Sequence, residues 1–173
     1  MSTLKVSTIS PLGTDSTKTI TLGESAGTLA IASGAKTSGF GKVGQVLNNV
    51  LTTQAETTSN SYSDTGLTVS ITPTTSTSKI LIVAQINVRI ASDNHIRIKL
   101  VRGSTDLQEN AYFFFSQGTN TKGVSGSFVY LDSPSATTEQ VYKFQLRSRD
   151  NGETVSVSPD GSASNMVVQE ILD

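Results

Sequence analysis

Residues 39–44 read Gly-Phe-Gly-Lys-Val-Gly and match the G-x-G-x-x-G pattern of dinucleotide-binding proteins. In those proteins the glycines let backbone amides approach a pyrophosphate at the start of a helix. Here no buried apolar strand precedes the glycines and no helical pattern follows them. We therefore interpret residues 39–44 as a Gly-rich linker and expect the protein to bind no cofactor.

Other residues whose side chains could act in catalysis or bind a metal also lack the partners that these functions would need. His95 is the only histidine and the chain has no cysteine, so multi-His and thiolate metal sites are excluded. Ser33 and Lys36 have the S-x-x-K spacing of some acyl-transfer enzymes, but Ser and Thr are so abundant that this spacing recurs by chance. The acidic residues near Asp93 and Asp150 lack the spacing of a calcium loop and fit plain hairpin turns. We expect no metal site and no enzymatic activity.

The net charge does not indicate any class of binding partner. Lys and Arg number 13 against 14 Asp and Glu, a formal net charge of −1, so bulk attraction to nucleic acid or to an anionic membrane is absent. No segment approaches the roughly 20 apolar residues that span a bilayer, and Met1–Leu12 is unlike a secretory signal. We expect synthesis in the cytoplasm, without a signal peptide and without membrane insertion.

The elements that would position any site are strands. Within Lys79–Ile90 the even positions are apolar and several odd positions are polar, and the same alternation returns in residues 95–100. The four residues between these two runs have turn chemistry and predict a hairpin. Further strands are predicted at residues 45–52, 67–71, 128–130, 142–146, 155–157 and 166–172.

This spacing of short strands predicts an all-β fold, an antiparallel β-sandwich of jelly-roll type over residues 45–173. Asn151-Gly152 is the strongest turn signal, since both central residues of a type I′ turn need positive φ. Residues 1–44 differ, because short apolar pieces alternate there with glycines. So little apolar area cannot offset the backbone entropy of ordering. We interpret residues 1–44 as an extended arm that orders only against a partner or a neighbouring copy.

Two surfaces are candidates for binding. The first is a cationic strand face, which is either simply solvated or binds an anionic glycan or phosphate; it comprises Arg89, His95, Arg97 and Lys99. The second is a surplus of apolar side chains that one inner face cannot hold, and that is covered either by the chain's own sheets or by another subunit. As candidate subunit contacts we take Tyr112, Phe113, Phe114, Phe115, Met166 and Val168.

Several segments together resemble small tail-fibre and virion appendage proteins of bacteriophages, notably cyanophages. They include the opening residues 1–9, the repeat-like pieces 18–23 and 27–32, and the stretches 44–47, 65–73, 78–82 and 164–171. The resemblance implies a virion protein whose arm attaches to other tail or capsid proteins. It also implies a homotrimeric β-domain that binds the host surface, with a surface glycan as one candidate receptor. A capsid-decorating cement protein and a carbohydrate-binding module are the alternatives.

Overall fold

The computed structural model of the chain describes residues 42–91, 94–115, 120–150 and 152–172, apart from the side chains of residues 110–112. The predicted arm, except for its last three residues, therefore lies outside the described residues, as do the S-x-x-K spacing at 33–36, Asp93, Asn151 and the Tyr112 side chain. Ten strands and one 3-10 turn, Pro159–Gly161, make up the described chain. The strands are β1 Lys42–Leu51, β2 Ala55–Thr57, β3 Ser63–Ile71, β4 Lys79–Ile90, β5 His95–Arg102, β6 Thr105–Phe115, β7 Lys122–Asp132, β8 Gln140–Ser148, β9 Val155–Val157 and β10 Ser164–Leu172.

The strands form two antiparallel sheets packed face to face, which confirms the predicted all-β sandwich. Without the three-residue strands β2 and β9, the first sheet has the order β1–β10–β4–β7 and the second β3–β8–β5–β6. The short strands extend the first sheet, because β9 pairs with the last residues of β4 and β2 pairs with β9. From β1 to β10, successive long strands lie in opposite sheets, except for the pair β5 and β6. This is the strand order of a jelly roll.

The core lies between the sheets and follows from the period-two pattern. The even residues of β4 from Ile80 to Ile90 are at most 2% exposed, and Ile96, Ile98 and Leu100 of β5 are fully buried. These two sets face each other, and they enclose side chains of the other long strands, including Phe128, Tyr142, Phe144 and Leu146. The predicted inward register of β4 and β5 is confirmed.

The predicted hairpin between β4 and β5 is wrong. β4 pairs with β7, β9 and β10, whereas β5 pairs with β6 and β8 in the other sheet. A hairpin would place the apolar sides of both strands on the same face of one sheet. A crossing between the sheets lets the two apolar sides face each other, and that buries both.

The turn predicted at Asn151-Gly152 also joins different sheets, because β8 and β9 do not pair. Gly152 has φ +100°, which the positive-φ argument anticipated, but a plain hairpin is not formed there. The two crossings lie side by side. The Ala91 amide donates to the Thr154 carbonyl at 3.0 Å, and the buried Asn94 amide donates to Ser148 Oγ at 2.8 Å.

Candidate functional site

The outer face of the second sheet carries most of the predicted cationic side chains. We call it the charged face and define it by Asp64, Arg97, Lys99, Glu109, Lys143 and Arg147. Alternation places these side chains outward because Ile98, Phe144 and Leu146 point into the core. Arg97 stands opposite Arg147 and Lys99 opposite Gln145 in the pairing of β5 with β8.

Tyr62 lies across the charged face and covers part of it. Lys99 Nζ is 4.4 Å from the centre of the Tyr62 ring and Arg147 Cζ is 5.0 Å from it. Both cations therefore gain a cation–π contact. The Tyr62 hydroxyl donates to Glu109 Oε1 at 2.6 Å. Burial, followed by this hydrogen bond to a carboxylate, raises the pKa of Tyr62 to about 12, so its phenol stays protonated at neutral pH.

Each lysine and arginine of the charged face has an acidic partner within the chain. Glu109 lies 3.8 Å from Arg97 and 3.7 Å from Arg147, and Lys99 Nζ is 2.9 Å from Asp106. The Lys99 side chain is only 13% exposed. An anionic ligand would have to displace these carboxylates to reach the cations. The charged face is therefore an ion-paired surface rather than an open cationic one.

A further ion pair closes the end of the charged face next to β3. Lys143 Nζ is 2.9 Å from Asp64 Oδ2, and the Gln145 amide donates to Asp64 Oδ1 at 2.7 Å. The hydrogen bond from Gln145, followed by that from Lys143, lowers the pKa of Asp64 below its ordinary value. The carboxylate therefore stays ionised and keeps its salt bridge at neutral pH.

Arg89 does not belong to the charged face, although the sequence grouped it with His95, Arg97 and Lys99. It lies on β4, and its side chain is on the outer side of the first sheet, where it pairs with Asp160 at 2.7 Å. The grouping assumed a β4–β5 hairpin. Because the chain crosses between the sheets instead, the outer sides of β4 and β5 point in opposite directions. His95 does lie with Arg97 on β5 and contacts Arg149 at 3.0 Å.

Three aromatic residues in a row, Phe113, Phe114 and Phe115, end β6, and they do not alternate strictly between the core and the surface. The pairing of β5 with β6 shifts between Ile96 and Ile98, so β6 contains an irregularity at this point. Phe113 is buried in the core, Phe114 packs against it, and their rings meet edge to face at 5.0 Å. Phe115 is 60% exposed. Of the run, Phe113 is therefore unavailable to another subunit.

Met166 and Val168 are also wrong as subunit contacts, because both are fully buried in the chain's own core. β10 does alternate. Met166, Val168 and Glu170 point inward, so Val167 and Ile171 are the apolar side chains that it turns outward. A run of three apolar residues concealed this alternation in the sequence.

Part of the outer face of the first sheet is apolar, between Lys79 and Arg89 at the two ends of β4. We call it the apolar face and define it by Val46 and Val50 of β1, Val167 of β10, Leu81 and Val83 of β4, and Val129 and Leu131 of β7. The strand register sets these residues in three adjacent rows, none of which contains a charged side chain. The rows are Val46–Gln169–Leu81–Leu131, Asn48–Val167–Val83–Val129 and Val50–Asn165–Gln85–Ser127.

The two edges of the apolar face are its most exposed parts. Val46 and Val50 are 58% and 52% exposed, and Val129 and Leu131 are 63% and 53% exposed. Sequence reasoning missed this surface, although a signal was present. Apolar residues occupy both parities in Ile80–Val83, Phe128–Leu131 and Met166–Val168, as expected for strands that are covered on both sides.

Comparison with models of known protein families finds no match for this chain, and comparison with curated proteins finds none. In the part of the chain that the structure describes, no group of three or more His, Asp or Glu side chains is placed to hold a metal ion. None of the helical structure in the described residues is long and apolar enough to cross a membrane.

Proposed function

We propose that the protein is a non-enzymatic structural component of a bacteriophage particle, a homotrimeric appendage of the tail. In this proposal residues 1–44 attach the chain to other virion proteins. The β-domain is displayed as an adhesin that meets the host surface. The segments that resemble phage appendage proteins favour this class of function.

The observation that carries the proposal is the contrast between the two outer faces of the sandwich. Part of the outer face of the first sheet, the apolar face, exposes Val and Leu among amide side chains and has no charged side chain in its three rows, and exposed apolar patches are typical of interaction sites. The second sheet exposes a surface whose cations are paired with Glu109, Asp106 and Asp64. One face therefore suits assembly and the other suits contact with water, as expected for a displayed subunit of a larger particle.

Imaging of the particle tests the location. Purified phage is labelled with a gold-conjugated antibody fragment raised against the β-domain and viewed by electron microscopy. We expect the label on the tail or its fibres. Label spread over the head would contradict the tail adhesin and support the alternative, a capsid-decorating protein. Absence of both the label and the protein from purified particles would overturn the virion assignment.

Competition for host cells tests the adhesin role. Host bacteria are incubated with the purified protein before phage is added, and the fraction of adsorbed phage is measured. A functional adhesin should occupy receptors and reduce adsorption in a dose-dependent way. The matched control is the Ile98→Asp variant, which we expect to unfold because Ile98 is fully buried. Adsorption that the folded protein leaves unchanged at saturating concentration would contradict the adhesin role.

A further inference from the structure

We infer that Gln45 and Thr74 join in an ester bond within the chain, and that Glu170 moves the protons of this reaction. Gln45 lies on β1, Thr74 in the connection from β3 to β4, and Glu170 on β10. The structure describes the unlinked chain, in which the Gln45 amide is intact. This bond is a modification of the chain itself, and it does not depend on the proposed role in a phage particle.

One carboxylate holds both reacting groups. Thr74 Oγ1 donates a hydrogen bond to Glu170 Oε1 at 2.8 Å, and Gln45 Nε2 donates one to Glu170 Oε2 at 2.8 Å. Gln45 Nε2 also donates to the carbonyl oxygen of Thr72 at 2.8 Å. The amide is therefore fixed between Glu170 and the backbone two residues before Thr74. Holding two groups side by side in this way favours a reaction between them, because less freedom is lost when they meet.

An irregularity in β1 turns Gln45 toward Glu170. The pairing of β1 with β10 shifts between Val43 and Val46. Gly44 and Gln45 therefore stand together opposite Glu170. Bulges of this kind re-aim a side chain and are frequent next to active sites. Gly44 also permits the close approach, because a Cβ atom at this position would lie 2.9 Å from Glu170 Oε2.

The carboxylate of Glu170 is buried and fixed in orientation. Glu170 is 0% exposed, and its Oε1 also accepts hydrogen bonds from the Thr74 amide at 2.6 Å and from the buried Ser78 Oγ at 2.8 Å. Such preorganised polar groups need no rearrangement at the moment of reaction. Glu170 lies within hydrogen-bond distance of the proton that it has to take, which is the geometric requirement for a general base.

The reaction is an acyl transfer in which Thr74 is the nucleophile and ammonia is the leaving group. Glu170 Oε1 takes the proton of Thr74 Oγ1 while Oγ1 forms a bond to Gln45 Cδ. Glu170 then gives a proton to Gln45 Nε2, and the bond between Cδ and Nε2 breaks. The products are an ester between the two side chains, ammonia and an ionised Glu170. A carboxylate whose pKa lies below 4.5 is a weak base, so the bond forms slowly.

The ester fastens a strand at the edge of the first sheet. β1 pairs with β10 at this edge and follows residues 1–41 in the chain. A bond from Gln45 to Thr74 closes a loop, and cross-links that close loops stabilise a fold by restricting the unfolded chain. The linked protein should therefore resist urea better than the unlinked protein. Measurements of the Glu170 charge alone require the unlinked chain, since Glu170→Gln would otherwise remove the cross-link as well.

Mass spectrometry of peptides tests the bond. Trypsin releases residues 43–79 as one peptide, because no Lys or Arg lies within residues 43–78. In natural protein that has been kept folded at neutral pH for several days, this peptide should be lighter than its sequence by one ammonia. Cleavage after Glu56 should then leave its two parts joined, and hydroxylamine, which cleaves esters, should separate them. A peptide of full sequence mass would overturn the ester.

Variants assign the roles of the residues. Thr74→Val removes the nucleophile and Glu170→Gln removes the base, so both should yield peptides of full sequence mass while circular dichroism shows a folded domain. The matched control is Thr72→Val, the same substitution at an exposed position, which keeps the carbonyl that holds Gln45 and should keep the loss of ammonia. Ammonia loss that persists in Thr74→Val would overturn the ester. Ammonia loss that persists in Glu170→Gln would overturn the role of Glu170.

Discussion

Arg97 of β5 and Arg147 of β8 stand directly opposite each other on the charged face, although like charges across a strand pair repel. Glu109 lies within 4 Å of both guanidinium groups, at 3.8 Å and 3.7 Å. It comes from β6, which pairs with β5 on the side away from β8. Glu109 therefore offsets a repulsion that the jelly-roll strand order creates.

Replacement of Glu109 by Gln should lower the free energy of unfolding by about 0.5–1 kcal/mol, because the carboxylate charge is lost and the repulsion between Arg97 and Arg147 remains. The measurement is urea unfolding at low and high NaCl. Since salt screens exposed charges, the difference from the natural protein should shrink at 1 M NaCl.

The control for this prediction is Asp160→Asn on the first sheet. Among the described residues Asp160 forms an ion pair with Arg89, and its side chain is 79% exposed. Its loss should change stability by less than Glu109→Gln does, since surface ion pairs contribute little. A Glu109→Gln variant as stable as the natural protein at low salt would show that the repulsion is already relieved by water.

Neighbouring positions of β5 should respond oppositely to substitution. Ile98 is fully buried, so Ile98→Asp places a carboxylate in the core and should unfold the domain. Arg97→Ser removes one member of the like-charged pair and should cost less than about 1 kcal/mol. Thermal unfolding followed by circular dichroism compares the two variants. Equal tolerance of both changes would show that the register of β5 is wrong.

The sequence predicted eight of the ten described strands, all except β2 and β6, because alternation records which side of a strand is buried. The inward residues of β4, β5 and β8 are in the core as expected. Connectivity was predicted poorly, since a short polar segment such as 91–94 can either reverse the chain within one sheet or carry it to the other. Local turn chemistry does not distinguish the two outcomes, because the packing of both sheets decides between them.

For the candidate surfaces too, the sequence predicted what depends on a single strand and missed what depends on contacts between distant parts of the chain. Arg97 and Lys99 have their predicted outward orientation, which depends only on β5 itself. The ion pairs that close the charged face require Glu109, Asp106 and Tyr62, which reach it from other parts of the chain. The sequence took the whole aromatic run as candidate subunit contacts, and this was wrong for Phe113, which lies in the core.

Gly126 of β7 provides a test of the packing at the aromatic run. A Cβ atom at this position would lie 2.5 Å from Phe114 Cε2 and 2.7 Å from Phe113 Cζ. Both rings would have to shift, and Phe113 is buried, so Gly126→Ala should destabilise the domain by about 1–3 kcal/mol. Urea unfolding measures the loss.

Gly123 of β7 is the matched control, because a Cβ atom at this position would lie no closer than 4.0 Å to its nearest described neighbour, the Val88 carbonyl oxygen. Gly123→Ala therefore meets no clash, and it reduces the conformational freedom of the unfolded chain. We expect stability equal to or slightly above that of the natural protein. If Gly126→Ala proved equally harmless, the two Phe rings would not lie against β7.

Glu170 should make stability depend on pH. Its carboxylate is buried at the inward side of β10 and accepts hydrogen bonds from the Thr74 amide at 2.6 Å, the Thr74 hydroxyl at 2.8 Å, Ser78 Oγ at 2.8 Å and the Gln45 amide at 2.8 Å. Burial by itself would raise the pKa of Glu170. The hydrogen bonds, led by that from the Thr74 amide, outweigh burial and hold the pKa below the ordinary value of 4.5.

A carboxyl group whose pKa is lower in the folded than in the unfolded state stabilises the fold above the unfolded pKa. That contribution is lost as the pH falls from about 4.5 through the lower folded pKa. Glu170→Gln places an NH₂ group among donors, so it should cost about 1–3 kcal/mol at pH 7. The variant cannot titrate at this position. The difference in unfolding free energy should therefore narrow at pH 3, as measured by urea unfolding at both pH values. A difference that stays constant from pH 7 to pH 3 would show that the charge of Glu170 does not organise the segment between β3 and β4.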